Sequence, residues 1–275
     1  MTSSRANFSL QPYLVYMTDF ENAINSLDLS LFKAIESQST DDDKRSLLAC
    51  QLATRLLRSP YTYLEIGSYL GGSIQPHLLD PACERIFSID KRPESQPDER
   101  GLAYTYRNNS TARMLENLSA VAPTEKIRTI DGSTSEIDPS VIDRPVDVCF
   151  IDGEHTDEAV VADFNFCRKV LADSGAIIFH DATITYNGID RCIKLLNESG
   201  VSYRAYSLPS IVFVIEINSF PLHQNPAVLD LLTNNYKSYI FSLQETDYYR
   251  RFAQKAPFRL YRKLLAKWQG KNVFD

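Results

Sequence analysis

Short, nearly continuous apolar runs punctuate the middle of the chain, and most of them are rich in β-branched and aromatic residues. Five such runs are residues 61–66, 85–89, 126–130, 146–151 and 176–179. Runs of this kind are typical of strands that are buried on both faces, as in a parallel sheet. Segments with apolar residues at helical spacing lie between them, at 110–121 and 157–171. Because strands that alternate with helices form βαβ units, the pattern predicts an α/β fold with a parallel sheet.

The last part of this block has a different pattern. The runs 201–208 and 211–217 are separated only by Pro209 and Ser210. A connection this short cannot cross over to a parallel neighbour, so it predicts an antiparallel hairpin. We therefore expect a mostly parallel sheet that ends in an antiparallel pair.

Helical patterns flank the sheet on both sides. Ahead of it, the segments 27–37 and 43–59 predict two helices, and Asp41, Asp42 and Asp43 supply a negative first turn for the second. Behind it, residues 226–247 and the basic tail predict two more. The expected organisation is an N-terminal helical extension, an α/β core and a C-terminal basic helical extension, at residues 1–58, 59–220 and 221–275.

The composition is that of a soluble globular protein, with 44% hydrophobic and 23% charged residues. Five scattered cysteines without metal-binding spacing predict reduced thiols in a cytoplasmic protein. We expect no signal peptide, since no long apolar stretch follows the N-terminus. No run approaches the roughly 18 apolar residues of a membrane span.

The charge is distributed unevenly along the chain. The tail 250–275 carries eight Lys or Arg residues and one acid, whereas residues 1–249 have a net charge of −13. Three interpretations of the tail remain open. It forms a helix that packs on its own domain or on a partner subunit, it lies on an anionic membrane surface, or it holds an anionic acceptor. It resembles no RNA-binding module, so nucleic acid is not the expected partner.

A glycine-rich loop follows the first predicted strand, in the sequence YLEIGSYLGGS at 63–73. Glycines at a strand-to-helix junction let backbone N–H groups approach a ligand closely. The loop lacks the G-x-G-x-x-G pattern of dinucleotide-binding sheets, and Glu65 would repel a pyrophosphate. A cationic ligand therefore fits the loop better than a dinucleotide does, and a turn without a ligand is the remaining interpretation.

Acids also stand at the ends of the later strands. Asp90 ends the second strand about 20 residues after the glycine loop, where an acid binds ribose hydroxyls in nucleotide-binding sheets. The third strand ends in TIDGS, the fourth in FIDGEH and the fifth in FHD. Since ligands of open α/β sheets bind at the carboxyl ends of the strands, these residues predict one shared site.

Together, the motifs YLEIGSYLGGS, FSID, TIDGS, FIDGEHTDEAVVADF and LADSGAIIFHDA resemble class I S-adenosylmethionine-dependent methyltransferases. More narrowly, they are similar to the branch with macrocin-type sugar O-methyltransferases and the cephalosporin-cluster methyltransferase. The resemblance covers roughly residues 58–218. It implies a Rossmann-like, mostly parallel seven-stranded sheet with an antiparallel terminal hairpin, helices on both faces and helical additions at both ends. It also implies methyl transfer to a hydroxyl of a small molecule or glycan.

The resemblance assigns residues to the cofactor. The glycine loop would hold its methionine part, Asp90 its ribose hydroxyls, and Asp131 with Ser133 its adenine. Asp152, at the end of the fourth strand, also belongs to the cofactor-binding set. The loop residues of this set are Glu65, Gly67, Gly71, Gly72 and Ser73.

A metal site is implied as well. In metal-dependent members of the family, acids at the ends of the fourth and fifth strands bind magnesium, and here these are Asp152 and Asp181. His180 stands where related members have a carboxylate, and imidazole suits zinc, manganese or iron better than magnesium. We expect Asp152, His180 and Asp181 to form this site, with the divalent ion and its presence left open.

His155 is the predicted catalytic base. O-methylation needs a hydroxyl proton to be removed as the oxygen attacks the methyl group, and a histidine that titrates near neutral pH suits this step. Glu154, Asp157 and Glu158 fit better as the acidic first turn of the next helix. Two alternatives remain. One is a catalytically inactive relative that binds or assembles, and the other is a nicotinamide-dependent oxidoreductase, which the missing fingerprint disfavours.

Overall fold

The computed structural model describes residues 19–233, 235–253 and 255–268. Seven strands form the central sheet, and two short strands form a separate hairpin. The central strands are β1 (Tyr61–Ile66), β2 (Cys83–Asp90), β5 (Ile127–Asp131), β6 (Val146–Ile151), β7 (Leu171–Phe179), β8 (Tyr203–Ser207) and β9 (Phe213–Ile217). The separate hairpin consists of β3 (Ser95–Pro97) and β4 (Ala103–Thr105).

The helices surround this sheet, and residues 19–25 are helical as well. The α-helices are α1 (Asp41–Leu57), α2 (Gln75–Leu79), α3 (Thr111–Ser119), α4 (Asp157–Val170), α5 (Tyr186–Ser199), α6 (Pro226–Thr233), α7 (Tyr236–Ala253) and α8 (Phe258–Trp268). Short 3-10 helices lie at Leu29–Phe32, Pro139–Val141 and Leu222–Gln224.

The strand order is β5-β2-β1-β6-β7-β9-β8. The first five of these strands run parallel, whereas β9 pairs antiparallel with both β7 and β8. This confirms the predicted Rossmann-like, mostly parallel seven-stranded sheet with a terminal hairpin. The direction in which successive strands are added to the sheet reverses at β1. The strands β2 and β5 lie on one side of β1, and β6 and β7 lie on the other.

Two layers of apolar side chains cover the two faces of the sheet. Neighbouring residues of β1 point to opposite faces, so Tyr63 belongs to one layer and Leu64 to the other. The layer of Tyr63 includes Phe20 and Leu48 from before β1 and Val228 from α6. The segments before and after the sheet thus share one of its core layers, while the domain boundaries expected at 58 and 220 stay predictions.

The predicted helix at 27–37 is wrong, because only the 3-10 helix Leu29–Phe32 forms there. The Gln75 side chain forms hydrogen bonds with backbone groups that would otherwise be paired within a longer helix. It accepts from the Ile35 N–H at 2.8 Å and donates to the carbonyls of Ile35 and Phe32 at 2.8 and 3.3 Å. The segment is therefore fixed by a contact 40 residues away in sequence, which its own pattern does not show.

The predicted helix at 226–247 is divided into α6 and α7. Asn235 lies at the turn between them, and its side-chain amide donates to the Ser207 carbonyl at 2.5 Å. This bond ties the turn to the end of β8. The helix expected in the basic tail is present as α8.

The described part of the tail exposes large apolar side chains, among them Leu260, Leu264 and Trp268 of α8. Within the ranges that the structure describes, no helix has both the length and the apolar character needed to cross a membrane. The three interpretations of the tail stay open.

A steric test of this architecture is available at the end of β1. Gly67 has φ +91°, and a Cβ there would lie 2.0 Å from the Asp152 carbonyl oxygen. Gly101 has φ +76°, and a Cβ there would meet no atom within 4 Å. We predict that Gly101→Ala lowers the free energy of unfolding by about 1–2 kcal/mol, the cost of a left-handed backbone. Gly67→Ala should cost about 1–3 kcal/mol more through overpacking. Urea denaturation of both variants measures the difference, and equal losses would contradict this packing of β1 against β6.

Candidate active site

A cavity of about 300 Å³ lies at the carboxyl ends of the parallel strands, where the strand order reverses. This is the place at which open α/β sheets bind their ligands. The structure brings most of the predicted site residues to its wall. They are Gly67, Gly72, Ser73, Asp90, Asp152, His155, His180 and Asp181.

The glycine loop forms one wall, and the segment before α1 closes over it. A Cβ on Gly72 would lie 2.5 Å from the Glu36 carbonyl oxygen, so the two backbones are in direct contact there. Glu36, Ser37 and Gln38 line the same cavity. The N-terminal extension therefore contributes part of the site.

Glu65 lies behind this wall and is fully buried. One carboxyl oxygen accepts from the Tyr63 hydroxyl at 2.7 Å, and the other accepts from the Ser73 hydroxyl at 2.6 Å. Burial raises the pKa of Glu65 to about 8. In this arrangement Glu65 fixes Ser73, which lines the cavity, and its own contact with a ligand stays a prediction.

Asp90 is held by the loop that follows it and by the glycine loop. Oδ1 accepts from the Arg92 N–H at 2.7 Å, and Oδ2 accepts from the Tyr69 N–H at 2.9 Å. The buried Arg92 guanidinium also reaches Oδ2, at 3.2 Å, and donates to the Tyr69 carbonyl at 2.7 Å. Arg92 therefore locks the end of β2 against the glycine loop, a role that no sequence motif indicates.

Strained backbone marks the same edge of the sheet. The non-glycine residues with left-handed φ angles include Tyr69 at 40°, Arg92 at 53° and Asp181 at 50°, which follow the ends of β1, β2 and β7. Such conformations cost about 1–3 kcal/mol each and cluster at functional sites. Tyr69 and Asp181 both line the cavity, so the strain supports the location of the site.

The end of β5 lies at the margin of the cavity. The Asp131 side chain is 57% exposed and lies 3.6 Å from Arg92 Nε, and it also accepts a hydrogen bond from Thr111. Ser133 does not line the main cavity but a smaller one of about 20 Å³ beside it. Gly67, Asp90 and Gln96 line both cavities, which therefore adjoin.

Acids and histidines alternate across the floor of the main cavity. His155 Nε2 lies 3.0 Å from Asp181 Oδ2, and His155 Nδ1 lies 3.8 Å from Asp98 Oδ2. Asp181 Oδ2 is also 2.9 Å from His180 Nδ1. One carboxylate thus orients both imidazoles.

His180 lies deeper in the protein. Its Nδ1 lies 3.0 Å from Asp152 Oδ1, and its Nε2 lies 3.6 Å from the fully buried Asp43. Burial alone would lower the pKa of His180, but the charge of Asp152 and the hydrogen bond to Asp181 raise it well above its usual value. His180 in this structure is therefore a charged imidazolium among three carboxylates.

The arrangement also fits a divalent metal. One ligand atom each from Asp152, His155 and Asp181 lies within 4.8 Å of the other two. Two carboxylates with one imidazole form a donor set suited to manganese, iron or zinc. The predicted ligands Asp152 and Asp181 are brought together, and both His155 and His180 approach them.

The hairpin β3–β4 supplies site residues that sequence reasoning missed. Its segment carries Asp98 and the cavity-lining residues Arg100 and Tyr104. The Glu99 N–H donates to the His155 carbonyl at 3.0 Å, and this fixes the hairpin beside the catalytic candidate. Strands of three largely exposed residues give no apolar alternation, so no pattern in the sequence could reveal them.

Of the acids Glu154, Asp157 and Glu158, which were expected in the first turn of the next helix, the last two are confirmed there. Thr156 caps α4 by accepting from the Ala159 N–H, and Asp157 and Glu158 form its acidic first turn. Glu154 lies before the helix instead, where it accepts from the Thr156 hydroxyl at 2.9 Å and pairs with Lys91 at 3.1 Å.

Comparison with known proteins defines the class. Residues 64–182 match a family model described as a methyltransferase domain. This match confirms the predicted enzyme class for that segment, which is less than half of the chain. It does not single out the macrocin-type or cephalosporin-cluster branch.

Individual relatives are distant. An uncharacterized protein, R132, of Acanthamoeba polyphaga mimivirus is 26% identical over 130 residues, 47% of this chain and 55% of that protein. The alignment thus spans little more than half of that curated relative. The O-methyltransferase NovP aligns with a TM-score of 0.50 at 14% identity, over 64% of this chain and 81% of its own. The O-methyltransferase TomG of Streptomyces achromogenes, solved with S-adenosylmethionine, aligns with a TM-score of 0.47 at 16% identity. This alignment covers 74% of this chain and 88% of TomG. The likeness to NovP shows the fold alone.

The buried Glu65 gives a pH-dependent stability. Its folded pKa of about 8 lies above the unfolded value of 4.5, so the folded state binds more protons between these pH values. The free energy of unfolding therefore falls as pH rises through this window, by up to about 1.4 kcal/mol per pH unit. We predict that Glu65→Gln gains stability relative to wild type from about pH 5 to 8.

Chemical denaturation at several pH values measures this gain. The variant Glu158→Gln provides the control. Glu158 is exposed and its ion pair with Arg191 lowers its pKa, so this carboxyl does not titrate between about pH 5 and 8. If the free energies of unfolding of wild type and Glu65→Gln change with pH in parallel, Glu65 is ionised in the folded protein.

Proposed function

We propose that the protein is an S-adenosylmethionine-dependent O-methyltransferase that acts on a hydroxyl of a small molecule or glycan. The observation that carries the proposal is the convergence of the glycine loop, Asp90 and the His155–Asp181 pair on one cavity. These groups lie within or directly beside the segment that matches a methyltransferase domain. The narrower relation to the macrocin-type and cephalosporin-cluster branch, and a cytoplasmic location, belong to the same proposal.

The cofactor would lie along the ends of β1 and β2. Gly67, Gly71, Gly72 and Ser73 would face its methionine part, with Glu65 fixing the Ser73 hydroxyl at 2.6 Å. Asp90 would accept from the ribose hydroxyls, since a carboxylate has more lone pairs than its three backbone and guanidinium contacts use. Asp131, Ser133 and Asp152 complete the set proposed from the sequence.

His155 would act as the base. When bound, S-adenosylmethionine supplies an electrophilic methyl group whose carbon–sulfur bond breaks as the acceptor oxygen bonds to that carbon. Asp181 at 3.0 Å holds His155 Nε2, which leaves Nδ1 to receive the acceptor's hydroxyl proton. The imidazolium formed in this step would be stabilised by Asp181 and by Asp98 at 3.8 Å from Nδ1.

A divalent ion would be held by Asp152 and Asp181, with an imidazole as third ligand. His180 is the ligand predicted from the sequence, and His155 completes the group whose ligand atoms lie within 4.8 Å of one another. Such an ion would lower the pKa of the acceptor hydroxyl and hold it in place. A His155 bound to the ion through one nitrogen would retain only the other for the proton.

The base is tested by His155→Ala. An acceptor would first be found by following methyl transfer from labelled S-adenosylmethionine to a panel of sugars and hydroxylated small molecules. We predict that turnover then falls by about 10²–10⁴-fold, the usual worth of general base catalysis, while affinity for S-adenosylhomocysteine stays within about threefold.

The surface variant Glu158→Gln serves as a matched control, since Glu158 contacts Arg191 and not the cavity. Near-normal turnover in His155→Ala would make His155 a structural residue at the start of α4. Lost cofactor binding would likewise contradict the role as base.

The metal is tested by Mn²⁺ titration followed by electron paramagnetic resonance. We predict that wild type binds the ion and that Asp181→Asn weakens binding by more than about 10-fold, as expected when a carboxylate of the site is lost. Asp131→Asn, at the margin of the cavity, should leave the affinity unchanged. Absence of Mn²⁺ binding, together with full activity in excess EDTA, would show that the reaction needs no metal.

A further inference from the structure

The C-terminal helix α8 carries its cations along one side. The helix contains four Lys or Arg residues and no acid. Three of these cations are exposed and are spaced four residues apart, at Arg259, Lys263 and Lys267. Residues at this spacing lie above one another on a helix, so the three side chains form one positive row.

An apolar row lies beside the cations. Leu260, Leu264 and Trp268 each follow one of the three cations by one position, and Tyr261 and Leu265 extend this apolar face. Leu260, Tyr261, Leu264 and Trp268 are 60 to 85% exposed. Within the described part of the chain, α8 makes its main contacts with the preceding helix α7. The apolar face is therefore open to solvent, and faces of this kind mark contact sites for a protein or a membrane.

We infer that α8 binds the surface of a bilayer that contains anionic phospholipid. Its apolar row would lie at the boundary between headgroups and acyl chains, with the cations against the anionic headgroups. Helices that lie in this boundary have a polar face rich in Lys and Arg and an apolar face with Leu and Trp. With 11 residues, α8 is shorter than the roughly 20 residues that a membrane span needs. The inference concerns attachment of the protein and does not depend on the proposed reaction.

The aromatic residues of the apolar face suit the same depth. Tyr261 and Trp268 each have an apolar ring and one polar group that forms hydrogen bonds. Such side chains are enriched where a bilayer meets water, because the ring leaves water while the polar group stays hydrated. Both residues are more than half exposed in α8, so they are free to enter this region.

The distribution of charge favours a lipid surface as the occupant. Residues 1–249 have a net charge of −13, whereas the tail 250–275 carries eight Lys or Arg residues and one acid. An anionic surface attracts the tail and repels the rest of the chain, so the tail is the part that would contact it. A second copy of α8 fits the face less well, because two such helices bring like charges together without an acid to offset them.

The fluorescence of Trp268 tests the inference, because this residue is the single tryptophan of the chain. Its side chain is in contact with water in the free protein, since the residue is 85% exposed. On vesicles of phosphatidylcholine with about one third phosphatidylserine, we expect the emission maximum to move to shorter wavelength as the indole enters the interface. Vesicles of phosphatidylcholine alone should give a much smaller shift, and added salt should reduce the shift on anionic vesicles.

Variants of the full chain separate the contribution of charge from that of apolar contact, with co-sedimentation on the anionic vesicles as the measurement. Lys263→Glu combined with Lys267→Glu should weaken binding at least about 25-fold, because each cation near an anionic surface contributes about fivefold. Leu264→Ser should weaken it at least about 10-fold through lost apolar burial. The matched control, Arg191→Glu with Lys194→Glu on α5, changes the net charge equally and should stay within about threefold of wild type.

Four results would overturn the inference. The first is an emission maximum that anionic vesicles leave unchanged, and the second is equal binding to phosphatidylcholine alone. A shift that grows with protein concentration in the absence of lipid would assign the apolar face to a second copy of the chain. A shift on single-stranded RNA but not on anionic vesicles would assign the cations to a nucleic acid.

Discussion

The close approach of β1 to β6 is the constraint on which the site depends. The Gly67 backbone passes so near the Asp152 carbonyl that a Cβ could not be placed between them. This contact joins the glycine loop to the strand end that carries Asp152 and leads to His155. The parallel register then brings Asp90 and Asp131 side by side, since they pair directly across β2 and β5. One edge of the sheet thereby gathers groups that lie far apart in sequence.

Balance of charge is the second feature of the site. Five acids, Asp43, Asp90, Asp98, Asp152 and Asp181, lie in or beside one cavity, and each contacts a cationic side chain. The side chains of Arg92 and His180 are buried, and each contacts a buried acid, Asp90 and Asp43 respectively, so their geometry is fixed before a ligand arrives. Fixed dipoles and charges of this kind stabilise a transition state more effectively than mobile ones.

The sequence was informative where chemistry follows a buried strand. The apolar runs predicted every strand of the central sheet, and the acids at their ends predicted Asp90, Asp152, His155 and Asp181 as neighbours. It was uninformative where a contact between distant segments decides the structure. The Gln75 side chain takes the place of helical hydrogen bonds near Ile35, and Asn235 divides a predicted helix. Asp43 completes the capping box of α1 with Thr40 while it also faces His180. The hairpin with Asp98 and Tyr104 is held by His155 and not by a hydrophobic pattern of its own.

The central claim is that this cavity binds the adenosyl cofactor of a methyltransferase and not a dinucleotide. Titration calorimetry of the unmodified protein with S-adenosylhomocysteine and with NAD tests it most directly. The account predicts micromolar binding of S-adenosylhomocysteine and no detectable binding of NAD, because the glycine loop lacks the G-x-G-x-x-G pattern that binds a pyrophosphate in dinucleotide-binding sheets. Binding of NAD with no response to S-adenosylhomocysteine would contradict it.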